Sequence, residues 1–98
     1  MLTKTKILKT LQQKKGLLAK YGVKSIGLFG SYSRDLQKED SDIDILVDFY
    51  SKEETYDNLL HIYDVLENLF SNKKIDIVTK RGLSKYLGNY ILKETIYA

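Results

Sequence analysis

The pattern of this chain predicts a small α/β (α+β) domain, a three-stranded mixed sheet flanked by helices, and three observations carry that prediction. Apolar residues recur at helical spacing near both ends and in the middle; short Ile/Leu/Val-rich runs lie between these segments; glycines or polar clusters separate the two kinds. With 98 residues, 43% hydrophobic and 30% charged, the chain has room for one hydrophobic core, so residues 1–98 read as a single domain. Proline is absent, and neither a repeat nor a Gly/Ser-rich linker divides the sequence.

The first segment, about residues 3–20, spaces Ile7, Leu8, Leu11 and Leu18 along one side of a lysine-studded helix, with Gly22 after its end. Residues 24–29 alternate and then become apolar, as a buried strand does, and run into Gly30. A short helix is expected over 31–35 and a polar loop over 36–41. A second strand over 42–49 reads Asp-Ile-Asp-Ile-Leu-Val-Asp-Phe. Residues 55–70 put Leu59, Ile62, Tyr63, Leu66, Leu69 and Phe70 on one helical face. After the turn-like residues 71–74 comes a third strand over 75–78. The tail, 83–97, reads as a last helix with Leu83, Tyr86, Leu87, Tyr90 and Ile91 on one side.

Composition narrows the chemistry. Without cysteine there is no disulfide and no thiolate zinc site, and the lone His61 makes a His-rich metal site or a Ser/His triad hard to assemble, though one histidine can still act as a base. Carboxylates remain for metal work. No run of 18 apolar residues occurs and the N-terminal lysines are spaced throughout, so a cytoplasmic protein with no membrane partner is expected. Charge is uneven. Residues 1–34 hold eight basic side chains and no acid, a local +8, against −5 in the remainder of a chain whose net charge is +3. That front either faces something anionic or is simply a solvated lysine-rich surface.

Alternation in the second strand sends Asp42 and Asp44 to one side, about 6.6 Å apart along the chain, and Ile43 and Ile45 to the other. Two neighbouring carboxylates on a half-buried sheet repel one another and lose hydration, and a divalent cation reverses that cost. Asp48 lies about 13 Å beyond Asp44 on that side, too far to share an ion, and reads as a solvated strand-end acid. Asp76, within Ile75-Asp76-Ile77, is either a third ligand or an acid paired with Lys74 or Lys80. Three carboxylates can hold two magnesium ions about 3.5 to 4 Å apart. Gly30-Ser31, where a strand enters a helix, either cradles phosphate oxygens or is an ordinary helix cap.

Taken together, Gly30-Ser31, ten intervening residues and then Asp42-x-Asp44 resemble the signature of the DNA polymerase beta-like nucleotidyltransferase superfamily. Within it the chain is similar to the minimal nucleotidyltransferases of the MntA type, the antitoxin half of HEPN/MNT toxin–antitoxin pairs. The likeness extends through Ser31-Tyr32-Ser33-Arg34, Asp76 and the tail Tyr90-Ile91-Leu92-Lys93-Glu94-Thr95-Ile96-Tyr97. It implies Asp42, Asp44 and Asp76 as catalytic metal ligands, Gly30 and Ser31 as phosphate-binding residues, and ATP as the substrate. Arg34 matches a frequent basic residue and either neutralises phosphate charge or pairs with Asp35 or Asp40. Two positions depart from the pattern: Ser33 stands where alanine is usual, and Asp35 where glycine is common.

The elements use up all 98 residues, so the acceptor is expected from outside. The resemblance implies transfer of AMP to a tyrosine of a HEPN ribonuclease toxin in a hetero-oligomer, with Asp76 as a candidate acceptor of the hydroxyl proton. Eight tyrosines, among them Tyr86, Tyr90 and Tyr97, keep open a non-catalytic module that neutralises its partner by covering it. Transfer to RNA or a small molecule ranks lower, because no RNA-binding motif appears.

Overall fold

Residues 2–98 are described by the computed structural model. In chain order the elements are helices α1 (Lys4–Gln13) and α2 (Lys15–Ala19), strand β1 (Val23–Phe29), the one-turn helix α3 (Gly30–Ser33), strand β2 (Ile43–Phe49), helix α4 (Tyr56–Leu69), strand β3 (Ile75–Thr79), helix α5 (Lys85–Glu94) and strand β4 (Ile96–Tyr97). Single 3-10 turns occupy Ser51–Glu53 and Lys80–Gly82. The sheet runs β3-β2-β1-β4, with β1 antiparallel to β2 and β4, and β3 parallel to β2.

Strand register sorts the side chains onto two faces. Leu28 lies across from Ile45 and Ile26 across from Val47, while Ile43 and Ile45 face Ile75 and Ile77 on the parallel side. This face meets Ile7 and Leu11 of α1, Leu18 of α2, and Ile62 and Leu66 of α4 in one cluster whose members are almost fully hidden. Each such side chain contributes roughly 1.5 to 3 kcal/mol on burial. Thr55 starts α4 by accepting the Asn58 N–H on its hydroxyl at 3.1 Å. The other face carries Gly27 beside Leu46, Phe29 beside Asp44, and Asp44 beside Asp76.

The mixed α/β architecture is as expected, but the sheet has four strands, not three. Residues 96 and 97, assigned by pattern to the last helix, form β4. That helix stops at Glu94 because Thr95 is extended (φ −67°, ψ 130°), its N–H and hydroxyl both returning to the Ile91 carbonyl. Thr-Ile-Tyr favours a pleated strand, and the edge of β1 offers a partner at Gly27. A Cβ at Gly27 would lie 2.5 Å from Thr95 Cγ2 and 3.0 Å from the Ile96 carbonyl oxygen, so the bare glycine admits the strand. The first helix also differs: it is broken at Lys14. Residues 12–17 are all exposed and none of them joins the core cluster, and Gly16 costs about 1 kcal/mol as a helix former.

Candidate active site

Asp44 is the centre of the acidic face. The parallel register places it beside Asp76 on β3, and the antiparallel register places it beside Phe29, the residue before Gly30. Asp42 precedes the strand by one residue and, by alternation, projects to Asp44's side. Gly30 has φ +74°, and a Cβ there would stand 2.1 Å from Asp44 Oδ2. Only glycine meets both conditions without strain. Asp42 and Asp44 are half-buried and Asp76 is exposed, so the three carboxylates form a graded rim rather than a pit.

The charge on this rim is unbalanced. Burial, followed by the charges of Asp76, Asp42 and Glu94, pushes the Asp44 carboxyl up to about 6, while Arg34 pulls it back. Among the described residues no three acid or histidine side chains close on an ion unaided. Magnesium does not need such a cage, since it keeps waters and substrate phosphates and takes one or two carboxylates from the protein. An all-oxygen donor set with surplus negative charge therefore fits a hard divalent cation.

The turn beside the rim is held by its own backbone. The Ser33 hydroxyl donates to the Gly30 carbonyl at 2.7 Å, and the Arg34 N–H is shared between the Gly30 and Ser31 carbonyls at 3.3 and 3.2 Å. The Leu36 N–H closes the loop on the Ser31 carbonyl at 2.9 Å, and Tyr32 anchors α3 in the core. Ser33, where the resemblance implies alanine, is thus small, buried and satisfied. Asp35, where the resemblance implies glycine, has φ +57°, a left-handed conformation that aspartate tolerates better than most residues, and its carboxylate meets Lys4 Nζ at 3.0 Å.

Asp42, Asp44, Asp76, Gly30 and the Ser31 turn come together at one end of the sheet. Arg34 joins them, but its partner is neither Asp35 nor Asp40: Arg34 Nη1 lies 2.5 Å from Glu94 Oε1. The other Glu94 oxygen, Oε2, accepts the Gly30 N–H at 2.8 Å. Sequence reasoning gave Glu94 no individual role. Asp76 makes no salt bridge among the described residues, while Lys80 reaches Asp48 at 3.9 Å; Asp48 lies near the end of β2 as expected, but its side chain is 24% exposed and so less solvated than expected. His61 stacks on Tyr21 at 4.7 Å from α4, which covers the opposite face of the sheet. Tyr86, Leu87 and Tyr90 leave an exposed apolar strip on α5, with Tyr86 95% accessible. No helix among the described residues is long and apolar enough to cross a membrane.

Residues 5–98 match the family model described as the nucleotidyltransferase domain. Over 86 residues the chain is 41% identical to the protein adenylyltransferase MntA of Thermococcus cleftensis, covering 86% of this chain and 83% of that one. A chain of Methanocaldococcus jannaschii assigned as a protein adenylyltransferase is 47% identical over 72 residues, 74% of this chain and 81% of the other. Among solved structures, one assigned as a minimal nucleotidyltransferase superposes with a TM-score of 0.83 at 30% identity, covering 97% and 95% of the two chains. A toxin–antitoxin structure with AMP-PNP gives 0.65 at 28% identity, over 98% of this chain and 72% of that one.

Proposed function

The chain belongs to the nucleotidyltransferase domain family, as an enzyme of the minimal type, and on that footing we propose that it is a magnesium-dependent protein adenylyltransferase acting as an antitoxin. It transfers AMP from ATP to a tyrosine hydroxyl of a partner HEPN-domain ribonuclease toxin. The observation that carries this reading is the placing of Asp44 between Asp76 on one neighbouring strand and the Gly30 turn on the other, on a face whose outermost acid is exposed to an incoming protein. Relatives named as protein adenylyltransferases, and the toxin–antitoxin structure with AMP-PNP, support the substrate and the partner.

Asp42, Asp44 and Asp76 would hold magnesium, which when bound supplies positive charge to the triphosphate and to the attacking oxygen. Gly30 and Ser31 receive phosphate oxygens on the backbone N–H groups of the turn and on the Ser31 hydroxyl, which no described residue engages. The tyrosine oxygen attacks the α-phosphorus in line; the bond to the bridging oxygen of the β-phosphate breaks; pyrophosphate leaves. The tyrosine proton passes to Asp76, the most accessible carboxylate of the three. Catalysis then arises mainly from positioning and fixed charge.

Labelled ATP, magnesium and a candidate HEPN partner provide the test. Label is expected on the partner, reduced at least about 100-fold by Asp42→Asn and by Asp44→Asn. The exposed strip of Tyr86, Leu87 and Tyr90 favours a second reading, neutralisation by covering. Toxin inhibition that survives both substitutions without any transfer of label would establish that reading instead.

A further inference from the structure

Glu94 ends α5, sixty-four residues from Gly30, yet its carboxylate is built into the turn. Its side chain is only 13% exposed, and a carboxylate so enclosed is costly unless both oxygens are satisfied. Here they are: Oε2 takes the Gly30 N–H at 2.8 Å and Oε1 takes the Arg34 guanidinium at 2.5 Å. One backbone N–H and one guanidinium, spanned by two anionic oxygens, are the donors a phosphate would use. Glu94 also adds a third negative charge, after Asp76 and Asp42, to the field felt at Asp44. A triphosphate approaching Gly30 therefore meets an anion already in place. Beside it lies a groove of about 360 Å³ lined by Ser33, Arg34, Tyr90, Lys93 and Glu94, room into which a side chain can swing.

Building on the nucleotide-binding reading above, we infer that Glu94 is an internal occupant of the triphosphate site: in the free protein it holds the Gly30 N–H and Arg34, and the nucleotide gains both by displacing it. Glu94 is thus a positioning residue that keeps the turn and Arg34 in their binding arrangement while lowering the affinity for any nucleotide. Two simpler roles compete with this one. If Glu94 were a fixed buttress for Arg34, its removal would weaken binding. If it acted only by repulsion through space, its effect would be independent of Arg34.

Calorimetric titration with a non-hydrolysable ATP analogue and magnesium, on Glu94→Gln, Arg34→Gln and the double variant, separates the three roles. Exchange of Glu94 for nucleotide predicts that Glu94→Gln tightens binding about tenfold. It also predicts that Arg34→Gln costs about twofold in the parent, where the guanidinium must first leave Glu94, but about tenfold in the Glu94→Gln background. The Gly30 amide resonance should move on addition of the analogue to the parent protein. Glu94→Asp, which retracts the carboxylate by one methylene, should tighten binding by a smaller factor, about threefold, and serves if the glutamine variant folds poorly. Weaker binding in Glu94→Gln and Glu94→Asp overturns the inference in favour of a buttress. Tighter binding with an unchanged cost of Arg34→Gln overturns it in favour of plain repulsion. Nucleotide bound by the parent with no change in any Glu94 variant removes the inference alone; no nucleotide bound by any of the five proteins removes the underlying reading as well.

Discussion

Ile45 and Asp44 are consecutive residues of one strand, yet the regions they belong to are held together by different physics. Ile45 looks into a layer in which Leu28, Ile43, Val47, Ile62 and Leu66 exclude water almost completely, and every neighbour improves the burial of the others. Asp44 looks at Asp76, Asp42 and Glu94, where each neighbour makes its ionised form less favourable. The core face generates stability, and the acidic cluster on the other face consumes it. The acidic arrangement persists because its backbone is the backbone of the core strand, so the carboxylates stay close whatever their mutual repulsion.

If that division is right, substitution on the core face should be far more damaging to folding than substitution on the acidic face. Ile45→Ala removes a fully hidden side chain from a packed layer and is expected to cost about 3 kcal/mol, read as a lowered urea midpoint with an unchanged slope. A loss below about 1 kcal/mol would break the comparison, since the core face would then not be the source of stability.

Gly30 is where the two regions touch, and it sharpens the comparison. In Gly30→Ala the new methyl group meets Asp44 Oδ2 and the backbone is held at φ +74°, so a loss of roughly 1 to 3 kcal/mol is expected together with weaker nucleotide binding. Gly16→Ala is the control: among the described residues nothing lies within 4 Å of the added carbon and the site is helical, so a gain of about 0.5 to 1 kcal/mol is expected. Equal thermal melting shifts in the two variants would show that the crowding at Asp44 is relieved cheaply.

The same contrast explains what could be read in the sequence. The core face was legible because its signals are local and repeated: Leu59, Ile62, Tyr63, Leu66 and Leu69, with Phe70 just past the end, define a helix whose observed bounds, Tyr56–Leu69, fall within a residue of the expected 55–70. Asp42 and Asp44 were legible because strand alternation carries its meaning within a few positions, whereas Gly30, an ordinary helix cap on its own signal, was singled out by the resemblance carried in its spacing to Asp42-x-Asp44. β4 was not, because two residues have no period. Glu94 was not, because its partners lie far away in the chain and its charge is ordinary for a helix end. Two weak signals did exist: Gly27 inside a strand marks a close backbone approach, and Thr95-Ile96-Tyr97 is poor helix and good strand material. Either would have shortened the last helix and brought its end over the Gly30 turn.

The smallest expected effect is the most direct measure of what the acidic face costs. Asp44 has a folded-state carboxyl pKa of about 6, above its unfolded value of about 3.9, because burial and the charges of Asp76, Asp42 and Glu94 outweigh the pull of Arg34. Between those two values the folded protein binds more protons than the unfolded one, so stability owed to this group is fully present below about pH 4. It is lost as pH rises towards 6 and stays lost above. Asparagine has no charge to penalise. In metal-free buffer Asp44→Asn should therefore match the parent near pH 4 and exceed it by about 1 kcal/mol at pH 7, a figure kept small because solvent reaches the half-buried Asp44 and screens its neighbours. Chemical denaturation of both proteins across this range gives the difference directly, with contributions from carboxylates outside the Asp42, Asp76 and Glu94 cluster common to the two curves. A variant that is no more stable than the parent at pH 7 would mean that Asp44 sits there at no cost, and that the two faces of β2 are energetically alike after all.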